Sequence, residues 1–145
     1  MDNQNFAIIA FGLVIGLIAN INPILAQSET DKLDDSQLVV ESQIKAFHQG
    51  AHKKAFSYAS PSMQVFFRDV DNFIRMVKRG YNPIYSAKNW AFGRSRSDGE
   101  KIHHEVLIAG PKGKEWVALY SLQKQDNGDW KIISVQLLKS QAKST

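Results

Sequence analysis

Cysteine is absent from all 145 residues, which excludes a disulfide framework and thiolate chemistry. A domain of this sequence working outside the cytoplasm must therefore rest on its apolar core. Long basic runs are missing too: 18 Lys and Arg oppose 14 Asp and Glu, and no run exceeds Lys53–Lys54. Nucleic-acid binding concentrates such charge on one face or tail, so nucleic acid is not an expected partner. The scattered charge reads as a solvated surface, with weak attraction to anionic lipid or cell-wall polymer as the alternative. There is no internal repeat and no low-complexity segment.

Reactive constellations are equally scarce. His48 and His52 are four apart, the spacing of two metal ligands on one helix, but Gly50 divides them and no third ligand accompanies them. No metal and no cofactor is expected. Ser60, Ser62 and Thr30 have no glycine-flanked elbow to make a nucleophile, and Gly110–Gly113 is too short to cradle a phosphate. These residues read as turns and caps.

What the chain does have begins at its N-terminus. Phe6–Ala19 is a 14-residue apolar run, within the length of a signal-peptide core and short of the roughly 20 residues that span hydrocarbon. Asn20, Asn22 and Pro23 break it, and Ala26 offers a small residue for cleavage before Gln27. Residues 1–26 are thus expected to be a signal peptide and the protein to be exported, periplasmic or secreted. The n-region lacks Lys and Arg, and Phe6–Ala26 totals 21 residues, so an uncleaved anchor facing outside the cytoplasm is the alternative. Any membrane contact runs through this segment alone. Its removal takes only Asp2 from the charged residues and leaves 18 basic against 13 acidic, or +5.

The remaining length suits one domain. Residues 27–36, polar and acidic, read as a linker; 37–140 as a single α+β domain; 141–145 as a tail. Val40, Ile44 and Phe47 recur at helical spacing, predicting an amphipathic helix over about Ser36–Gln49 that stops near Gly50. A second helix carries Ala55, Phe56 and Ala59. Ser60 is placed to cap a short helical turn with Pro61 at its first position, presenting Met63, Val65, Phe66 and Phe67 for packing. Asp69 or Asp71 caps a further helix whose stripe is Val70, Phe73, Ile74 and Val77, with Gly80 as its stop. Four extended runs follow: about Ile84–Ser95, Lys101–Ala109, Glu115–Gln125 and Trp130–Lys139. The turns between them predict an antiparallel meander, and Asn127–Gly128 suits a type I′ turn, in which both residues take positive φ.

Three segments together resemble the bacterial family called domain of unknown function 4864. They are Gln43–Phe47 with Ala55–Pro61, Phe73–Val77 with Gly80–Tyr81, and Tyr120–Leu122 with Gly128–Ile132. Gly50–His52 and Val135 depart from the residues expected of that family, an Asp and a Cys. The resemblance covers nearly the whole domain and implies a cone of the nuclear transport factor 2-like kind: N-terminal helices packed on a curved four-stranded antiparallel sheet with a cavity between. It supplies no activity, and fold analogy alone does not.

Related cones that are isomerases or dehydratases place an acid, or a His with an Asp, in the cavity. On Lys101–Ala109 the more apolar face holds Ile102, His104, Val106 and Ile108, leaving Glu105 outward. His104 is then the one titratable group among apolar neighbours, open to reading as a cavity base, a ligand contact or a hydrogen-bonded core residue. Trp90, Phe92, Trp116, Tyr120 and Trp130 are core aromatics by default. The candidate pocket residues are His104, Tyr120, Tyr58, Tyr81 and Trp116. The expected function is a non-enzymatic module that binds a small apolar ligand or forms a homodimer through its sheet face. An enzyme acting on a small hydrophobic substrate, with His104 as base, and a cell-envelope attachment protein are the alternatives.

Overall fold

In the computed structural model, residues 23–141 are described, and their order is helices first, then sheet. Helix α1, Pro23–His48, is longer than the sequence predicts. Residues 27–36, expected as a linker, continue the helix because their polar side chains bond along it. Gln27 Nε2 donates to Asp31 Oδ1 (2.9 Å), Lys32 Nζ pairs with Glu29 Oε1 (2.7 Å), and the Thr30 hydroxyl donates to the Ala26 carbonyl (3.1 Å). The expected targeting segment lies outside the described residues up to residue 22. Among the described residues no helix is long and apolar enough to cross a membrane.

The buried stripe of α1 runs through Ser36, Val40, Gln43, Ile44 and Phe47. Gly50 ends the helix at φ +64°. The Ala51 amide donates to Ala46 O (2.9 Å) and the Gly50 amide to Phe47 O (3.1 Å), the paired bonds of a Schellman stop. Helix α2, His52–Ser57, buries Ala55 and Phe56. Helix α3, Pro61–Phe67, is capped by Ser60, whose hydroxyl accepts from the Met63 amide (3.4 Å). Val65 and Phe66, expected to pack, instead stand exposed, because the short α3 turns only Met63 and Phe67 inward. Helix α4, Val70–Gly80, is capped by Asp69, which accepts from the Asn72 amide (2.8 Å), and buries Phe73, Ile74 and Val77.

The first strand starts later than predicted. Pro83 sits in the opening turn of a short helix, α5, Asn82–Tyr85, so Ile84 belongs to a helix rather than to a strand. Strands β1 (Asn89–Ser97), β2 (Lys101–Ala109), β3 (Glu115–Lys124) and β4 (Trp130–Lys139) then form an open antiparallel sheet in sequence order. This is the α+β class and the meander the sequence predicts. A bulge in β1 between Phe92 and Ser95 and an extra residue in β4 opposite Ser121/Leu122 interrupt the ladders and increase local twist.

The predicted type I′ turn at Asn127–Gly128 is corrected. Only Gly128 has positive φ, +90°. The Gly128 amide donates to Gln125 O (2.9 Å) and the Asn127 side chain accepts from the Asp129 amide (3.0 Å), a three-residue loop ending in a left-handed glycine. The double positive φ occurs one hairpin earlier, at Lys112 (+61°) and Gly113 (+70°) between β2 and β3.

The helices cover one face of the sheet. That face carries Ile102, His104, Val106 and Ile108 from β2, Ala118, Tyr120 and Leu122 from β3, and Trp130 and Ile132 from β4, all buried. Leaving the helical layer, the α2–α3 link runs beside the sheet edge. Ala59 forms a parallel bridge with Ile132, with the Ser60 amide donating to Ile132 O (2.8 Å) and the Ile132 amide to Tyr58 O (2.9 Å). Among the described residues nothing covers the outer face. Across it Ala91, Leu107, Val117 and Leu138 stand opposite one another as one row over all four strands, beside the Arg94–Glu105 ion pair (2.8 Å).

Candidate functional site

Helices α1, α3, α4 and α5 do not close completely on β3 and β4. Between them lies a cavity of about 140 Å³, close to the roughly 150 Å³ hole that admits benzene in an engineered core. Phe47 comes from α1, Met63 and Phe67 from α3, and Phe73, Met76 and Val77 from α4; Ile84, Ile132 and Val135 complete the apolar wall. The half-buried Met63, Phe67, Met76, Tyr81 and Val135 mark its mouth.

Three polar side chains reach this wall. Tyr81 donates its hydroxyl to the Val135 carbonyl (3.1 Å) and so fixes one side of the mouth. Gln43 spends its amide nitrogen on Ala55 O (3.1 Å), which leaves its carbonyl oxygen as an acceptor. Tyr120 is 1% exposed, and burial pushes its phenol well above the usual tyrosine range, so it stays a neutral donor. Its side chain lines the cavity. One donor and one acceptor in an apolar hollow can orient a single polar group of a guest.

His104 lies elsewhere, between α1 and β1. Its ring nitrogens are both engaged: Nε2 with the Ser36 hydroxyl at 2.7 Å and Nδ1 with the Ser95 hydroxyl at 2.6 Å. The Ser36 hydroxyl donates to Leu33 O (2.9 Å), so it accepts from His104 Nε2–H. Ser95 accepts from Gln37 Nε2 (3.4 Å) and donates to the bare Nδ1. The network assigns a neutral Nε2–H imidazole. Burial, with His103 nearby, lowers its pKa from 6.5 to about 4, and the Phe92 ring meets it edge-on at 5.7 Å. At 1% exposure and with both nitrogens bonded to protein, this ring is a buried strut between helix and sheet.

Of the five residues singled out in the sequence, the cavity brings together Tyr120 and Tyr81 and leaves out His104, Tyr58 and Trp116. Tyr58 caps α2 and offers its carbonyl to Ile132. Trp116 lines a separate hollow at the end of the sheet with Trp90 and Leu107. Sequence reasoning missed Gln43, although a signal existed: a polar residue falls on the buried stripe between Val40 and Phe47. His48 and His52 have separate partners, His48 packing edge-on against Trp90 (5.3 Å) and His52 Nε2 bonding the Tyr85 hydroxyl (2.9 Å). Among the described residues no cluster of three or more His, Asp or Glu could hold a metal.

The comparisons agree with the resemblance at its more specific level. The chain matches the family described as "Domain of unknown function (DUF4864)" over residues 29–145, and it belongs to that family. No curated protein and no solved structure matches it.

Proposed function

We propose that the protein is a non-enzymatic binding module, exported by its N-terminal segment, whose cavity between helices and sheet takes one small apolar molecule. The observation that carries this reading is the benzene-sized hollow itself. Well-packed cores leave few voids larger than a water, and this one opens through half-buried side chains and holds a buried, neutral tyrosine hydroxyl. The helices-over-curved-sheet arrangement also suits a nuclear transport factor 2-like cone. Catalysis by His104 gains no support, since a base must reach its substrate and both nitrogens of this imidazole are taken by Ser36 and Ser95.

Native mass spectrometry of the purified chain tests the reading. A copurifying mass of a few hundred daltons, reduced in Val135→Phe while circular dichroism stays native, supports it. An empty protein, together with benzene and toluene failing to shift the NMR signals of Met63 and Met76, would overturn it.

Dimerisation through the outer sheet face is a second reading. The apolar row there runs beside an exposed cation and its anion, so a twofold-related copy could meet apolar with apolar and Arg94 with Glu105. Light scattering on the chain and on Leu107→Lys distinguishes a dimer that dissociates from a monomer that never formed one.

A further inference from the structure

A second hollow, of about 320 Å³, adjoins the mouth of the cavity on the solvent side and is lined by Asn72, Arg75, Met76, Arg79 and Tyr81. Met76 and Tyr81 belong to both hollows, so the two adjoin across those side chains. The arrangement follows from the helical period. On α4, Phe73 and Val77 point into the core, Met76 sits at the boundary, and Arg75 and Arg79, four apart, stand together just outside it.

What sets these two cations apart is their place, since both line the hollow beside the cavity mouth. Arg94 is held by Glu105, Lys32 by Glu29 and Lys45 by Glu41, whereas among the described residues neither Arg75 nor Arg79 pairs with a carboxylate. Asn72 accepts from Arg75 Nη1 at 2.8 Å, steadying one guanidinium with a neutral partner that leaves its charge uncompensated. Asp69 is occupied by the Asn72 amide and side chain, and Asp71, one turn before Arg75, forms no ion pair with it. Beside the mouth of an apolar chamber thus stand two fork-shaped anion receptors without a carboxylate ion pair among the described residues.

We propose that the natural ligand is a small amphipathic carboxylate: a single ring or short alkyl chain seated among Phe47, Phe73 and Val77, with its carboxylate at Arg75 and Arg79. This rests on the cavity reading above and narrows it to a ligand class. The cavity volume limits the buried part to about six carbons, by comparison with benzene in a hole of similar size. Longer acyl chains do not fit without displacing the wall.

Isothermal titration of the full-length chain with hexanoate, and with 1-hexanol as the uncharged match, tests the proposal. Hexanoate is expected to bind at least about fivefold more tightly, with the advantage shrinking at high salt because the receptor is exposed. In Arg75→Gln/Arg79→Gln, two surface changes outside the core, hexanoate should fall to the affinity of hexanol while hexanol is unchanged. Equal binding of the two in the parent chain, or a hexanoate preference that survives the double substitution, overturns the carboxylate proposal and leaves the cavity standing. Loss of neither ligand in Val135→Phe, or no binding of either to the parent, overturns the cavity reading and the proposal with it.

Discussion

Lowering the pH from 7 to 5 is expected to remove about 2 kcal/mol of stability through His104 alone. In the folded chain this imidazole resists protonation, with a pKa near 4 against 6.5 when exposed. Between those values the unfolded chain binds the extra proton and the folded one does not. Stability from this residue is therefore complete above about pH 6.5 and falls as pH drops toward 4. A full shift corresponds to about 3 kcal/mol at 1.36 kcal/mol per unit, and about two thirds of it is spent by pH 5. The ring is almost wholly buried, so solvent does little to screen the effect. Urea melts followed by circular dichroism at half-unit steps from pH 7.5 to 4.5, on the parent and on His104→Gln, isolate it. Glutamine keeps a neutral donor and acceptor but cannot titrate, and other groups such as His103 remain in both. The parent should lose about 2 kcal/mol more than the variant by pH 5; parallel curves would refute the assignment of a neutral, buried imidazole.

Other expectations follow from single contacts. Ser36→Ala strands the His104 Nε2–H in the core and should cost about 1–3 kcal/mol in the same melts, where a loss under half a kilocalorie would mean the bond is not formed. Asp69→Ala removes the cap of α4 and should cost about 1 kcal/mol. Gly50→Ala should cost about 1 kcal/mol or slightly more, from backbone strain alone, because a Cβ there meets nothing within 4 Å. Tyr120→Phe should weaken binding of a hydroxyl- or carbonyl-bearing guest severalfold in calorimetry while leaving a pure hydrocarbon unaffected.

Much of the sheet was legible because its signals are local. The alternation Ile102, His104, Val106, Ile108 marked an inward face that the structure reproduces, and β2 and β4 have the predicted bounds. The hairpin at Asn127 was misread for a reason equally local: a side-chain bond to the Asp129 amide holds Asn127 in the ordinary region of φ and gives the left-handed position to Gly128 alone. The first turns of α1 were hidden because acidic, polar composition mimics a tether, and only pairs such as Glu29–Lys32 reveal a helix. The candidate site was harder. Its wall draws one to three residues each from α1, α3, α4, α5, β3 and β4, and no spacing along the chain marks side chains that meet only in three dimensions. Tyr120 and Tyr81 were found as aromatics and Gln43 was marked only by its polarity on a buried stripe, whereas Met76 carries no signal apart from its place in the packed structure.

The parallel bridge between Ala59 and Ile132 has a consequence for the order of folding. Helices α1 to α4 are joined by short links and can associate early, but the lining residues Ile132 and Val135 belong to the last strand. Contacts of the early helices with the last strand, those of α1 above all, carry the largest loop-closure cost, so the chamber is sealed only when β4 docks along the α2–α3 link. A chain ending before Trp130 would hold most of the helical wall with one side of the chamber missing. Any guest present during that interval meets an open shelf of Phe47, Phe67 and Phe73, so loading can accompany the final stage of folding as well as follow it.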